Sequence, residues 1–364
     1  MKIVFIVGSL TDSHIIKRID AFCEKGYEVD LYGYKRDVNF TNGIKGVEPI
    51  VIGSIENGRY LNRVFSGFRT ISKIIKEYPS DTLYYIWGFD IALVHWFRST
   101  KYIYEISDIR YANFPFPLNK VFRYLDRAII RKSVCVPLTS EGFVQWIGHK
   151  DKLLKKYILL PNKLSPVFNK IERKNSVDKI DEPIRIAYAG LYRYPNTVVK
   201  LARIIGERFN SRFEFHFWGK GDDTIVKTIK DLCANYSNVF EHGPFKNPDD
   251  LKKVYDTFDM VACNYDISGI NERIAEPNKL YESIFFHKPI IVTDGTFLSN
   301  KVKELRVGYI VNNEVDDIIR LLEGIKKEEL EVISKREAAI EAKELIENYE
   351  ELWQNIEKYK DKNH

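Results

Sequence analysis

Short apolar runs that close on glycine, alternating with stretches of helical period, limit what this chain can fold into. The run "KIVFIVGSL" is almost wholly apolar as far as Gly8; "DSHIIKRIDAFCEKG" then carries apolar residues at helical spacing up to Gly26, and "YEVDLYGY" follows. Strand, helix, strand at this spacing is a βαβ unit and predicts a parallel sheet. Further strands are expected at 47–53, 82–88, 101–107, 134–140 and 157–162, so residues 1–165 read as one doubly wound domain. Residues 166–183 are polar, charged and bounded by prolines, as a linker is. A second series begins at once, with strands expected at 184–190, 212–221, 238–243, 259–265, 288–295 and 307–313 and helices at 197–209 and 249–257. Residues 184–329 form the second domain, and residues 330–364 begin in a charged stretch of helical period. The expected fold class is α/β: two Rossmann-like, doubly wound parallel-sheet domains facing each other across a cleft, where ligands commonly bind.

Net charge is +5 and unevenly spread: residues 1–165 hold 25 Lys and Arg against 16 Asp and Glu, whereas residues 166–364 hold 31 against 35. The first half is therefore expected to face something anionic, such as phosphates or acidic lipid. No nucleic-acid-binding motif accompanies the charge, which argues against that partner. Cys23, Cys135, Cys233 and Cys263 stand far apart with no CxxC pair, against a disulfide framework or a zinc site. The opening apolar run is too short for a signal-peptide core, and nowhere do about 18 apolar residues run together. A cytoplasmic protein that does not span a membrane is expected.

In "EPNKLYESIFFHKPIIVTDG", Pro277 suits the first turn of a helix, whose free N–H groups and positive dipole end can hold an anion. Glu282, one turn further, can look into the crevice at the carboxyl ends of the strands and accept hydrogen bonds from ribose hydroxyls. The other reading is a solvated helix with a Lys279–Glu282 ion pair. In "YAGLYRYPNT", Gly190 ends a strand and a helix begins near Pro195, Asn196 and Thr197, so backbone N–H groups and Arg193 can converge on a diphosphate; an ordinary turn with an exposed arginine is the alternative. In "VGSLTDSHIIK", Gly8 permits close approach of a ligand, and His14 either faces the cleft or packs. In "YEISDIRYANFPFP", Asp108 and Arg110 bring an acid and a base to the carboxyl edge of the first sheet, unless Asp108 is a turn or helix cap.

Taken in order, these stretches resemble the GT-B glycosyltransferases, in particular the GT4-like (glycosyl transferases group 1) retaining family. The resemblance covers nearly the whole chain. Its most specific stretch is "PNKLYESIFFHKPII", similar to the family's P-x-K-x-x-E followed by a small turn and "KPII"; "YEISDI", "IRIAYAGLY", "FHFWGKGD", "NVFEHGPF" and "LKKVYDTFDMVACNY" support it. The resemblance implies a nucleotide-diphosphate sugar held mainly by the second domain. Its donor-binding residues are Glu282, Lys279, Asn278, Gly190, Phe245 and Gly8, with Glu282 on the ribose and Phe245 by the base. Glu276, Asp108 and Arg193 are the catalytic candidates, and His14 and Arg110 lie on the acceptor side. The chain departs from the pattern at three places. Ile274 stands eight positions before Glu282, where the family has a second Glu, so Glu276 or Glu272 must serve; the next lysine after Arg193 is Lys200; and Ser107 replaces a histidine common in members. "DISGINERIAEP" (266–277) is expected to be a mobile loop over the sugar, and the tail is expected to pack back on the first domain as in relatives, burying Ile333, Ile340, Leu345, Ile346, Tyr349, Leu352, Trp353 and Ile356.

Departure of the leaving group puts negative charge on a diphosphate, which helix N-termini and Arg193 can stabilise. No DxD pair stands at a strand end where a metal-dependent transferase needs one, so no metal and no cofactor beyond the donor is expected. In the front-face mechanism proposed for retaining relatives, the departing phosphate accepts the acceptor's proton. Two other functions compete. An NAD-dependent oxidoreductase would use Asp30 but lacks the GxGxxG glycines. A degenerate GT-B scaffold would bind sugar nucleotide or glycan without transfer. The acceptor is expected to be a glycan or polyprenyl-linked saccharide. Two basic, apolar segments, "LNRVFSGFRTISKIIK" and "RYANFPFPLNKVFRYLDRAIIRK", are expected to meet the anionic inner face of the cytoplasmic membrane, unless their apolar sides pack inward.

Overall fold

In the computed structural model the chain is described over residues 1–10, 12–35, 46–54, 60–173 and 180–361. It divides into two compact units, Met1–Pro161 with Asn348–His364, and Asn162–Glu347.

The first unit is built on parallel strands β1 (Lys2–Val7), β2 (Glu28–Lys35), β3 (Pro49–Ser54), β4 (Leu83–Trp87) and β5 (Lys101–Glu105), in the order β3-β2-β1-β4-β5. Two further parallel strands, β6 (Val136–Leu138) and β7 (Tyr157–Leu159), continue it, because Ile106 bridges Leu138 and donates its N–H to the Pro137 carbonyl at 2.9 Å. β1 is buried from Ile3 to Val7, as a central parallel strand must be. The helix Ser13–Glu24 starts where the Asp12 carboxylate accepts the His14 N–H at 3.1 Å. Its Arg18 lies in the core, held by Glu105 through bonds of 2.9 and 2.7 Å, and the Tyr85 hydroxyl donates to the same carboxylate.

The second unit holds β8 (Ile184–Leu191), β9 (Phe213–Lys220), β10 (Val239–Glu241), β11 (Met260–Cys263), β12 (Ile290–Thr293) and β13 (Gly308–Val311), all parallel, in the order β10-β9-β8-β11-β12-β13. Strand order reverses between β1 and β4 in one unit and between β8 and β11 in the other. Beyond the carboxyl ends of such strand pairs an open α/β sheet leaves a crevice for a ligand.

Two expected boundaries shift. The supposed linker is part of the second unit from its start: Pro166–Lys170 is a helical turn, and Phe168 is buried edge-on against Phe285. Arg173 then donates to the carbonyls of Phe285 (3.0 Å), Ile284 (2.6 Å), Glu337 (2.6 Å) and Ile340, satisfying carbonyls at the ends of two helices, Asn278–Phe285 and Lys327–Ala338. A polar composition hid a segment whose charge works on backbone acceptors. Residues 174–179 of the linker lie outside the described residues.

The tail is three helices, Lys327–Ala338, Ala342–Leu345 and Glu350–Asp361, and the expected apolar face is divided between the two units. Ile333, Ile340, Leu345 and Ile346 belong to the second unit, where Ile346 bridges Leu164. Tyr349, Leu352, Trp353 and Ile356 belong to the core of the first, with Trp353 edge-on to Phe22 at 4.7 Å. The break follows from the extended backbone at Glu341 and Ile346. Trp353→Ala should remove about 3–5 kcal/mol from the first unit, read as a lower denaturant midpoint; an unchanged midpoint would show that the terminal helix docks without stabilising.

Candidate functional site

The most constrained point lies at the carboxyl ends of β8 and β9. Gly190 pairs in register with Gly219, at φ +143° and +148°, a backbone region that side chains rarely adopt. A Cβ on Gly219 would fall 1.7 Å from the Gly190 carbonyl oxygen, and one on Gly190 would fall 2.9 Å from Lys279 Nζ. The glycines thus clear a space into which the lysine projects. Lys279 is only 8% exposed, and its ammonium stands 5.0 Å from the Tyr188 ring centroid. Among the described residues it has no carboxylate and no hydrogen-bond acceptor. The Lys279–Glu282 ion pair that the sequence left open is not formed.

Pro277 precedes the helix Asn278–Phe285 in an extended conformation, so Asn278, Lys279 and Glu282 stand on its first two turns. Glu282 is buried, and its Oε2 accepts the Tyr255 hydroxyl at 2.8 Å. Oε1 accepts the side-chain amides of Asn278 and, at 3.4 Å, Asn247. A carboxylate has about four lone-pair directions, so the oriented group retains capacity for a further donor.

Arg193 is exposed at the end of the β8 turn and is an electrostatic neighbour of Tyr188 and Tyr194. Tyr194 sits in a left-handed conformation (φ 62°), with its ring 4.9 Å from that of Tyr265; burial, then Glu272, push its hydroxyl up to about 12. The two glutamates offered for the missing acidic position differ in state. Glu276 accepts the Tyr281 hydroxyl, whereas Glu272 Oε2 is buried without a hydrogen-bond partner among the described residues. The stretch 266–277 contains a short helix, Ile270–Ile274, which carries Glu272. Just past β11, both amide atoms of the Asn264 side chain are buried and unpartnered, and Thr197 donates to the Asn264 carbonyl at 2.5 Å. Phe245 is half-buried against the second unit's core.

The candidates of the first unit form a looser set. Asp108 and Arg110 are exposed and pair with each other at 3.3 Å, an interaction worth little in water. Gly8 would accept a Cβ at ordinary contact distance, 3.7 Å from the Trp87 carbonyl oxygen, so nothing in the protein itself demands glycine there. The His14 ring lies 6.5 Å from that of Trp87, whose Nε1 donates to Ser107 Oγ at 2.6 Å.

Sequence reasoning missed Tyr188, Gly219, Asn247, Asn264 and Tyr255. The register of β8 against β9 makes Gly219 a partner of Gly190, and that pairing was the recoverable signal; Asn247 and Tyr255 join Glu282 only through tertiary packing. Among the described residues, no group of three or more His, Cys, Asp or Glu is placed to hold a metal ion.

No family model matches the chain. A succinoglycan biosynthesis protein, ExoL of Rhizobium meliloti (strain 1021), is 20% identical over 344 residues, which span 88% of this chain and 84% of that protein. Among solved structures, the sucrose-phosphate synthase of Thermosynechococcus elongatus superposes with a TM-score of 0.69 at 13% identity, covering 100% of this chain and 98% of that one. HepE of Anabaena, in complex with UDP-glucose, gives 0.65 at 13% identity, covering 100% and 99%. The lipopolysaccharide outer core galactosyltransferase WaaB gives 0.58 at 12% identity, covering 100% of both. With two Rossmann-like units and these structural neighbours, the chain has the GT-B fold of glycosyltransferases.

Proposed function

We propose that this chain is a glycosyltransferase that moves a sugar from a nucleotide-diphosphate donor to a glycan or polyprenyl-linked saccharide during synthesis of a surface polysaccharide, with retention and without a metal. The observation that carries the reading is Lys279: a largely buried side chain that has no carboxylate partner among the described residues and whose ammonium lies beside Gly190 at the end of β8. Burying a charge is costly unless something pairs with it, and an incoming diphosphate is the partner whose charge fits. The resemblance to ExoL, a succinoglycan biosynthesis protein, to the galactosyltransferase WaaB and to HepE in complex with UDP-glucose supports a polysaccharide product and a sugar-nucleotide donor.

In this reading Glu282, oriented by Tyr255, Asn278 and Asn247, accepts a ribose hydroxyl, and Phe245 lies toward the base. Gly190 lets the diphosphate approach the backbone. Lys279 and Arg193 stabilise the charge that grows as the sugar leaves, which is the task a metal performs elsewhere. Glu272, with an oxygen to spare, and the Asn264 amide face the sugar, while Glu276 braces Tyr281. The departing phosphate takes the acceptor's proton. Asp108 stays a catalytic candidate and Gly8 a donor contact, with His14 and Arg110 on the acceptor side, in a cytoplasmic enzyme.

Lys279→Met keeps the aliphatic stem and removes the charge. It should leave the ligand-free protein as stable as before or more so, and abolish thermal stabilisation by nucleoside diphosphates. A ligand-free variant that melts lower while binding the donor normally would make the lysine structural. Glu282→Gln should weaken donor binding by about 1.5–3 kcal/mol, the worth of a hydrogen bond to a charged group, and also cost stability, because the buried Tyr255 hydroxyl loses its carboxylate. Tyr255→Phe is the control, expected to lose stability but bind donor; equal loss of affinity in both variants, by calorimetry, would reduce Glu282 to a packing role. Transfer of labelled sugar from the bound donor separates an enzyme from a scaffold that only binds.

A further inference from the structure

The structure separates the two basic, apolar segments. In the helix Tyr60–Glu77, Ile71 and Ile74 are buried in the first unit, while the side chains of Leu61, Arg63, Val64 and Phe65 lie outside the described residues. The second segment is turned the other way. Phe116 is 72% exposed, Tyr124 67%, Val121 52% and Leu118 48%, and the last three recur every third residue on the helix Leu118–Lys132. That helix already packs inward through Phe122, Asp126, Ile129 and Ile130, so the exposed residues have no place in the fold.

Charge says what covers them. Between Asp108 and Glu141 the one acidic residue is Asp126, and it is buried with the Tyr111 hydroxyl donating to it at 2.6 Å. Lys120, Arg123, Arg127, Arg131 and Lys132 stand on the same helix. The cations are laid over aromatic rings: Lys120 over Phe116 at 4.9 Å, Arg123 over Trp146 at 5.1 Å and Lys132 over Trp96 at 5.1 Å. Phe97, beside Trp96 with ring centroids 4.9 Å apart, is also exposed. A protein partner would need a surface both apolar and acidic. A bilayer supplies both at fixed depths, hydrocarbon for Phe116, Leu118 and Val121, the interface for Tyr124, and anionic headgroups for the cations. We infer that the face formed by Phe116, Leu118, Lys120, Val121, Tyr124 and Arg131 docks the first unit on an anionic phospholipid surface. This assignment needs none of the donor chemistry proposed above.

The full chain is sedimented with vesicles of phosphatidylcholine alone or mixed with phosphatidylglycerol, at low and high salt. It should bind the anionic vesicles at low salt and lose them as salt rises. Phe116→Ser with Tyr124→Ser, both exposed enough to leave the fold intact, should weaken binding by about tenfold or more, and Lys120→Glu with Arg131→Glu should do the same through charge, each basic residue near such a surface contributing about a fivefold effect. Nucleoside-diphosphate binding should be unchanged in every variant, so failure here is distinct from failure of the proposed reaction. No binding to any vesicle, equal binding to neutral ones, or indifference to both variants would overturn the assignment. So would a dimer of the unmodified chain that the Ser variants dissociate, which would give the face to a second copy.

Discussion

The arrangement at the second unit's sheet edge turns on one charge. Lys279 is brought inside by a helix that begins after Pro277, is laid over Tyr188, and places its ammonium where a Cβ on Gly190 would fall 2.9 Å from it. A cation–ring contact contributes about 0.5–2 kcal/mol, well short of the several kcal/mol that removing an ion from water costs. The topology dictates where a ligand crevice lies, because β8 flanks the switch point of the parallel sheet.

Other buried charges in the molecule are handled differently. Arg18 is clasped by Glu105 through two hydrogen bonds, which closes its electrostatics within the first unit. Asp126 is pushed up to about 6 by burial, against the opposing effect of the Tyr111 and Tyr104 hydroxyls. Glu337, wholly buried with neither oxygen hydrogen-bonded, is driven well above the usual carboxylate range, also by burial. Pairing, and burial that disfavours the charged form, are thus both in use for structural groups. Lys279 has neither a paired acid nor a hydrogen-bond acceptor among the described residues, and on this difference the proposed role in donor binding rests.

Much of the fold was legible in the sequence because its strands are buried on both faces and stand out as apolar runs closed by glycine or polar residues. "KIVFIV" and "FEFHFWGK" needed only their own composition. What composition could not show was ownership. Leu345 and Leu352 lie on one apparent helical face, yet the chain passes from one unit to the other between them. Arg173 looked like linker charge because its partners are backbone carbonyls, which leave no mark in a sequence. At the site, the placing of Lys279 and Glu282 on one short helix was legible from the sequence, whereas Tyr255 and Asn247 reach Glu282 from 27 and 35 residues away in the chain. That Glu276 accepts the Tyr281 hydroxyl while Glu272 Oε2 has no hydrogen-bond partner among the described residues could be seen only in the tertiary structure.

In the proposed reading the Lys279 ammonium is completed by a diphosphate. Its most direct test is calorimetric titration of the intact chain with a series of nucleosides bearing no phosphate, one phosphate, two phosphates, or a diphosphate-linked sugar, alongside NAD. Affinity should rise steeply between the mono- and diphosphate, hold for the diphosphate sugar, and be lost for the nucleoside and NAD. Equal affinity for mono- and diphosphate, or preference for NAD, would contradict it.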